Sequence, residues 1–315
     1  MKIVFLDNAT LNPGDLDWGP MDKLGELVLY EGTPVDRVSE RIRDADAVFS
    51  NKVWVGRDSI EAANNLKFIG VTATGYNNID VEAATEQKIP VCNVPGYGTT
   101  AVAQATIAML LCATNHVFEH HTDVQNGLWQ KSDNFCFWTK PLVELAGKNL
   151  AIIGYGAIGK KVAAIAEALG MNILIAQIPG RPDSPDKVPF ESALQQADVV
   201  TLHCPLSELT DKIINRETLK LFKQSAILLN TGRGDLVNEA ELAEALNTGV
   251  IGAYCGDVLS SEPPAADNPL LSAKNCIITP HQAWAAKESR QRLFDGTVEN
   301  YQAFLDGQLK NCVNW

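Results

Sequence analysis

Along this chain, short apolar runs alternate with stretches of helical spacing. Residues 3–6, 27–30, 47–49, 68–71 and 91–93 are runs of strand length, apolar enough to be buried on both faces. Between several of them, apolar positions fall at helical intervals, as over residues 38–42 and 81–84. The alternation predicts a small doubly wound α/β domain with a mostly parallel sheet over residues 1 to about 95. A ligand of such a sheet sits outside the carboxyl ends of the strands. Two loops fall at such ends, residues 50–52 and residues 72–78. The second (Thr72-Ala73-Thr74-Gly75-Tyr76-Asn77-Asn78) is rich in small and polar residues, whose main-chain amides suit an anion. Taken alone it reads better as a plain turn.

Residues 93–98, Asn-Val-Pro-Gly-Tyr-Gly, break the pattern. Thr99 or Thr100 then caps a long helix expected over about 101–126, with Val102, Ile107, Leu110 and Leu111 on its apolar face. Inside it His116, Glu119 and His120 form H-x-x-E-H, which on one helix face resembles an inverted zinc-protease pattern. No third ligand stands at a telling spacing, so two ordinary helix histidines are the better reading and no metal is expected. Trp129, Phe135, Phe137 and Trp138 follow, read as packing or subunit contact.

A second alternation starts at residue 150 and organises the rest. Residues 150–153 are a short apolar strand. Gly154-Tyr155-Gly156-Ala157-Ile158-Gly159 follows, and then Ile158, Val162, Ile165, Ala166 and Leu169 at helical spacing. Strand, glycine turn and helix together lift a G-x-G-x-x-G motif above chance as a dinucleotide site. Gly154 permits the tight turn, Gly156 lets the backbone approach a pyrophosphate, and Gly159 lets the helix pack on the strand. Further strands are expected at 173–176, 197–202, 226–229, 252–255 and 276–279. They end in Gln177, in His203-Cys204-Pro205-Leu206, in Asn230-Thr231-Gly232-Arg233-Gly234, in Gly256-Asp257 and in Pro280-His281. Each delivers polar groups to the edge that carries the glycine turn. The residue closing the second strand of such a fold contacts the adenosine ribose: an acid bonds the 2′-OH of NAD, while a nearby Arg accepts the 2′-phosphate of NADP. Gln177, with Arg181 four residues on, leaves that choice open. Pro179, Pro182, Pro185 and Pro189 make the next loop stiff and irregular.

A length of 315 residues favours two domains. The net charge of -12 argues against a nucleic-acid partner or an anionic membrane surface. No apolar run reaches the length of a membrane span, and the N-terminus opens on a strand-like segment instead of a signal segment. Seven cysteines, an odd number and never in C-x-x-C, fit reduced thiols in the cytoplasm.

The polar groups at the strand ends make a coherent chemistry. Arg233, between two glycines, can grip a carboxylate in a bidentate fork. His281 is a proton carrier near neutral pH. Glu262, just before two prolines, can orient its imidazole. With a nucleotide turn, these three compose a hydride-transfer site for a 2-oxo acid. Each has a bland alternative on its own: a loop cation, a core histidine, a solvated turn acid.

The chain resembles the D-isomer-specific 2-hydroxyacid dehydrogenases over essentially its whole length. The resemblance rests on an ordered set: residues 93–97 (Asn-Val-Pro-Gly-Tyr), 145–148 (Leu-Ala-Gly-Lys), 154–159, 203–206, 229–234, Asp257-Val258, Glu262-Pro263-Pro264 and Thr279-Pro280-His281. It implies an Arg–Glu–His catalytic trio at Arg233, Glu262 and His281. It implies that Gly154, Gly156, Ala157, Ile158 and Gly159 meet the pyrophosphate, that Gln177 faces the ribose, and that Cys204, Thr231 and Asp257 line the ribose and nicotinamide. Thr74, Gly75 and Tyr76, with Arg233, would hold the substrate carboxylate. The implied fold is two doubly wound α/β domains. A Rossmann nucleotide domain (98–286) is inserted into a smaller flavodoxin-like substrate domain (1–97 and 287–315). The implied protein is a cytoplasmic homodimer that uses NAD, or NADP, to reduce a small 2-oxo acid of hydroxypyruvate or glyoxylate type, and to catalyse the reverse. Trp284 after His281 resembles the glycerate dehydrogenase or hydroxypyruvate reductase branch, and Glu262 speaks against the formate dehydrogenase branch. Ending at residue 315 leaves no room for the regulatory domain of many phosphoglycerate dehydrogenases. Gln177 and Gln104 stand where the family usually has acids. The alternative is a corepressor-like nucleotide sensor of the same fold, acting through partners.

Overall fold

The computed structural model describes residues 1–182 and 184–315, which form two compact units. One comprises Met1–Gly98 with Trp284–Trp315, the other Thr99–Ala283.

The first unit is built on β1 (Lys2–Phe5), β2 (Glu26–Leu29), β3 (Ala47–Ser50), β4 (Phe68–Val71) and β5 (Val91–Cys92). All pair in parallel, in the order β2-β1-β3-β4-β5. β3 and β4 are buried at every position, as strands covered on both faces must be. One face packs Val4, Val48, Ile69 and Val91 against Val38, Ile42, Ile60 and Ala83. The other packs Phe5, Phe49 and Phe68 against Leu293, Phe294 and Tyr301 of the helix Lys287–Leu305. That helix is pinned at its start by Arg290, whose guanidinium forks onto Asp15 at 2.6 and 2.8 Å and holds that carboxyl below its ordinary range. The chain's last residues close the free edge of β5. Cys92 and Cys312 form an antiparallel bridge, flanked by Asn93 N donating to Asn311 O at 3.1 Å and Val313 N to Val91 O at 2.8 Å.

The second unit carries β6 (Asn149–Ile153), β7 (Asn172–Ala176), β8 (Val199–Leu202), β9 (Ile227–Asn230), β10 (Ala253–Gly256) and β11 (Cys276–Ile278). They form one parallel sheet, ordered β11-β10-β9-β8-β6-β7. From β6 the chain steps to one side, to β7, and then to the other, to β8. The strand order therefore reverses between β6 and β8, where ligands of doubly wound sheets bind. The helices Thr99–Asn115 and Ala157–Ala168 cover one face through Ile107, Leu110, Val162 and Ala166, packed on Leu150, Ile152 and Cys255.

The expected single helix over 101–126 is two helices, Thr99–Asn115 and Val117–Gln125, bent by 52°. His116 between them has a left-handed backbone, with φ of 47°. His116 is thus the N-cap of the second helix, one turn before His120, whose ring lies edge-on to its own at 6.4 Å between centroids. Among the described residues, no group of three or more His, Cys, Asp or Glu side chains is placed to hold a metal ion. Among the described residues, no single helix is long and apolar enough to cross a membrane.

Candidate active site

The glycine turn sits where β6 ends beside β8. Gly154 has a φ of 102°, and a Cβ there would lie 2.3 Å from the Cys204 nitrogen and 2.4 Å from the His203 carbonyl carbon. Only glycine satisfies both constraints. A Cβ on Gly159 would lie 2.3 Å from the Gly154 oxygen, so the helix Ala157–Ala168 packs on the turn at backbone distance. Gly156 differs: nothing lies within 4 Å of its absent side chain. It is the helix N-cap, with no side-chain cap bond, so the first-turn amides of Ala157, Ile158 and Gly159 face the open space beside it. That is the cradle a pyrophosphate requires.

Next along the sheet edge, Gln177 follows β7, whose last residue Ala176 pairs with Ile153 before the turn. Its Nε2 donates to the carbonyls of Arg181 at 3.0 Å and Pro182 at 2.8 Å, and its Oε1 is enclosed without a partner among the described residues. An orphaned acceptor beside the cradle fits a ribose hydroxyl. Cys204, after β8, is buried, which pushes its thiol up to about 11 and keeps it protonated. His203 lies under the same turn. Burial pulls its imidazole down to about 4, so the ring is neutral; its Nε2 is 2.9 Å from Thr201 Oγ1, and Nδ1 has no partner among the described residues. Thr231 follows β9 and shares a 2.9 Å hydroxyl contact with Thr106.

Arg233 lies exposed on the loop after β9. Asn230, fully buried, shapes that loop: its Oδ1 accepts from Gly232 N at 3.0 Å and its Nδ2 donates to Arg233 O at 2.8 Å. Gly234 presses the loop onto the next segment, where a Cβ would stand 2.0 Å from the Leu259 carbonyl carbon and 2.2 Å from Ser260 N. Leu259 N in turn donates to Glu262 Oε1 at 3.1 Å. Glu262 Oε2 lies 2.5 Å from His281 Nδ1. Facing a carboxylate, Nδ1 carries the hydrogen, which leaves Nε2 as the working nitrogen.

His281 has a left-handed backbone, with φ of 50°, a conformation costing about 1–3 kcal/mol for a non-glycine residue. Asp257 holds it there. Its peptide oxygen accepts from His281 N at 2.8 Å, and its nearly fully buried carboxylate accepts from Thr279 Oγ1 at 2.6 Å, Gln282 N at 2.9 Å and Ala283 N at 2.8 Å. This clamp is invisible to motif reading, which placed Asp257 by the cofactor. So is the Asn230 clamp; an amide or acid at the end of a strand, just before a polar loop, was the signal in both. In the smaller unit, the loop after β4 is tied by Asn93 Nδ2 to Thr74 O at 2.6 Å and by Thr74 Oγ1 to Val94 O at 3.0 Å. Tyr76 is exposed, and no backbone bond among the described residues takes the amides of Thr74, Gly75 or Tyr76.

Residues 107–283 match the family model described as D-isomer specific 2-hydroxyacid dehydrogenase, NAD binding domain. The chain belongs to the D-isomer-specific 2-hydroxyacid dehydrogenase family. It is 47% identical to a hydroxypyruvate reductase of Blautia hydrogenotrophica across the whole of both chains. It is 39% identical to a glycerate dehydrogenase of Methylorubrum extorquens, covering 99% of this chain and 98% of that one. A crystal structure of the TT0316 protein of Thermus thermophilus superposes with a TM-score of 0.86 at 32% identity, over 99% of this chain and all of the other. This dehydrogenase is thus an NAD(P)-dependent oxidoreductase acting on the 2-hydroxy acid and 2-oxo acid couple, in the glycerate and hydroxypyruvate branch of its family.

Proposed function

We propose that this dehydrogenase reduces hydroxypyruvate, or its smaller analogue glyoxylate, to the D-2-hydroxy acid or its achiral counterpart, with Arg233, Glu262 and His281 as its catalytic residues. The observation that carries the reading is the 2.5 Å contact of His281 Nδ1 with Glu262, at the carboxyl edge of the sheet that bears the nucleotide cradle. NAD(P)H, when bound along residues 154–159, Gln177, Cys204, Thr231 and Asp257, supplies a hydride to the 2-oxo carbon. His281 as imidazolium holds a proton at Nε2 and gives it to the substrate oxygen. Glu262 fixes the ring and stabilises its charge. Arg233 binds the substrate carboxylate and polarises the carbonyl. The amides of Thr74, Gly75 and Tyr76 are a second carboxylate-binding group, which makes the smaller unit the substrate domain.

The dehydrogenase acts as a cytoplasmic homodimer without nucleic-acid or membrane partners. Exposed Phe118, Trp129, Phe135 and Trp138, clustered in sequence, support a subunit contact, and unpaired cysteines support a reducing compartment. The corepressor alternative finds no support in the relatives above, which are named as enzymes. The test is a kinetic matrix of NADH and NADPH against glyoxylate, hydroxypyruvate, pyruvate and longer 2-oxo acids. Arg233→Ala and His281→Ala should each lower turnover by about a hundredfold or more. Full turnover in either variant, or none with any acid in the wild type, would overturn the assignment.

A further inference from the structure

The amide of Gln177 has a fixed direction. Two backbone carbonyls, of Arg181 and Pro182, lie 3.0 and 2.8 Å from one end of it, and carbonyls accept only, so that end is the NH2 group. Both N–H bonds are spent on the loop. What the side chain has left is Oε1, nine-tenths buried with its residue and unpartnered among the described residues. Ala176 pairs with Ile153, so Gln177 stands beside Gly154, at the ribose end of the cradle.

We propose that Gln177 makes this enzyme selective for the unphosphorylated nucleotide, NAD(H), because the only group it presents at the ribose is a hydrogen-bond acceptor. The inference rests on the nucleotide site assigned above. A ribose 2′-hydroxyl donates to Oε1 and satisfies an acceptor that is otherwise orphaned. A 2′-phosphate brings only acceptor oxygens and negative charge against the negative end of the amide dipole. Turning the amide to offer N–H groups would give up both hydrogen bonds, to the carbonyls of Arg181 and Pro182, that hold the side chain to its loop. An acidic residue could not do the same work here, since a carboxylate would face those two carbonyls with no hydrogen to give. The cations of this loop oppose the selection. Arg181 and Lys187 line, together with Gln177 itself, Gly180 and Ser184, a cavity of about 580 Å³, and they favour a phosphate there. Of these residues Gln177 is the one that directly follows the strand paired beside the cradle, and its acceptor therefore sets the preference.

The experiment is a fluorescence titration of the full chain with NADH and with NADPH, without substrate, repeated by competition with 5′-AMP and 2′-AMP. The wild type should bind NADH at least about tenfold more tightly than NADPH, and 5′-AMP more tightly than 2′-AMP. Gln177→Ala should lose most of that ratio, chiefly through weaker NADH binding, because it leaves Arg181 and Lys187 in place. Gln177→Glu should not restore it. Tighter NADPH binding by the wild type, or an unchanged ratio in Gln177→Ala, would overturn the proposal while leaving the nucleotide site intact. Binding of neither dinucleotide would overturn the nucleotide site and the proposal together.

Discussion

Asp257→Asn isolates the clamp beneath His281. The carboxylate uses both oxygens: Oδ1 accepts from Thr279 Oγ1 and Gln282 N, and Oδ2 from Ala283 N. An asparagine has one oxygen. If it takes the Oδ1 place, its NH2 points at the Ala283 N–H, and that buried donor goes unsatisfied at about 1–3 kcal/mol. The opposite orientation strands Gln282 N–H and forces the Thr279 hydroxyl to turn, which costs more. The surviving bonds also lose their charge assistance, about 1 kcal/mol for each. The sum is about 3–5 kcal/mol of local stability. Residue 281 can recover part of it by leaving its left-handed conformation, itself a cost of about 1–3 kcal/mol. That relaxation carries the imidazole off Glu262. Urea unfolding should thus show a loss of about 3 kcal/mol, and kcat for hydroxypyruvate reduction should fall about ten- to a hundredfold. Thr279→Val, which removes one of the three bonds, should cost about 1 kcal/mol and have a smaller effect on kcat. Wild-type kcat and unfolding midpoint in Asp257→Asn would refute the clamp.

Gly154→Ala should abolish dinucleotide binding, measured by NADH fluorescence, since its Cβ falls 2.3 Å from Cys204 N at a φ of 102°. His203 makes stability pH-dependent. Its folded value of about 4 lies below its ordinary value of 6.5, so the unfolded chain binds the extra proton. Its contribution is complete above about pH 6.5 and is lost as pH falls towards 4, by up to about 3 kcal/mol. His203→Gln should flatten urea-unfolding stability between pH 7 and 5; an unchanged slope would contradict the neutral buried ring. Analytical ultracentrifugation should give the mass of two chains, and a monomer would remove the subunit contact inferred for Phe118 and Trp138.

What could be read from the chain alone divides along the reach of the interactions. The strands were legible because parallel strands buried on both faces are apolar at nearly every position, as in β4 and β9. The glycine turn was legible because strand, turn and helix are contiguous. The break at His116 was not, since apolar residues continue through Val117 and Phe118 and only a backbone angle changes; Asn115-His116, two residues tolerant of the left-handed region, was the faint mark. Arg233 and His281 were legible as types of group at strand ends, and Glu262 as the acid before two prolines. Their linkage through Gly234 against Leu259, and through Leu259 N to Glu262, depends on which strands are neighbours. The direction of Gln177's amide is set by two carbonyls of an irregular proline-rich loop, which no periodicity encodes.

The seam at β5 has a bearing on biosynthesis. Residues 1–98 contribute all five strands of their sheet, yet Leu293, Phe294 and Tyr301 cover one of its faces and residues 311–313 occupy its edge. On the ribosome, residues 1–98 must wait, with bare aromatic rings and an open margin, until residues 293–313 emerge, while the insert at 99–283 is free to fold in the interval. Pulse proteolysis of a released fragment of residues 1–285 should find the insert protected and the leading segment cut; equal protection of both would show that the leading segment folds without its cover.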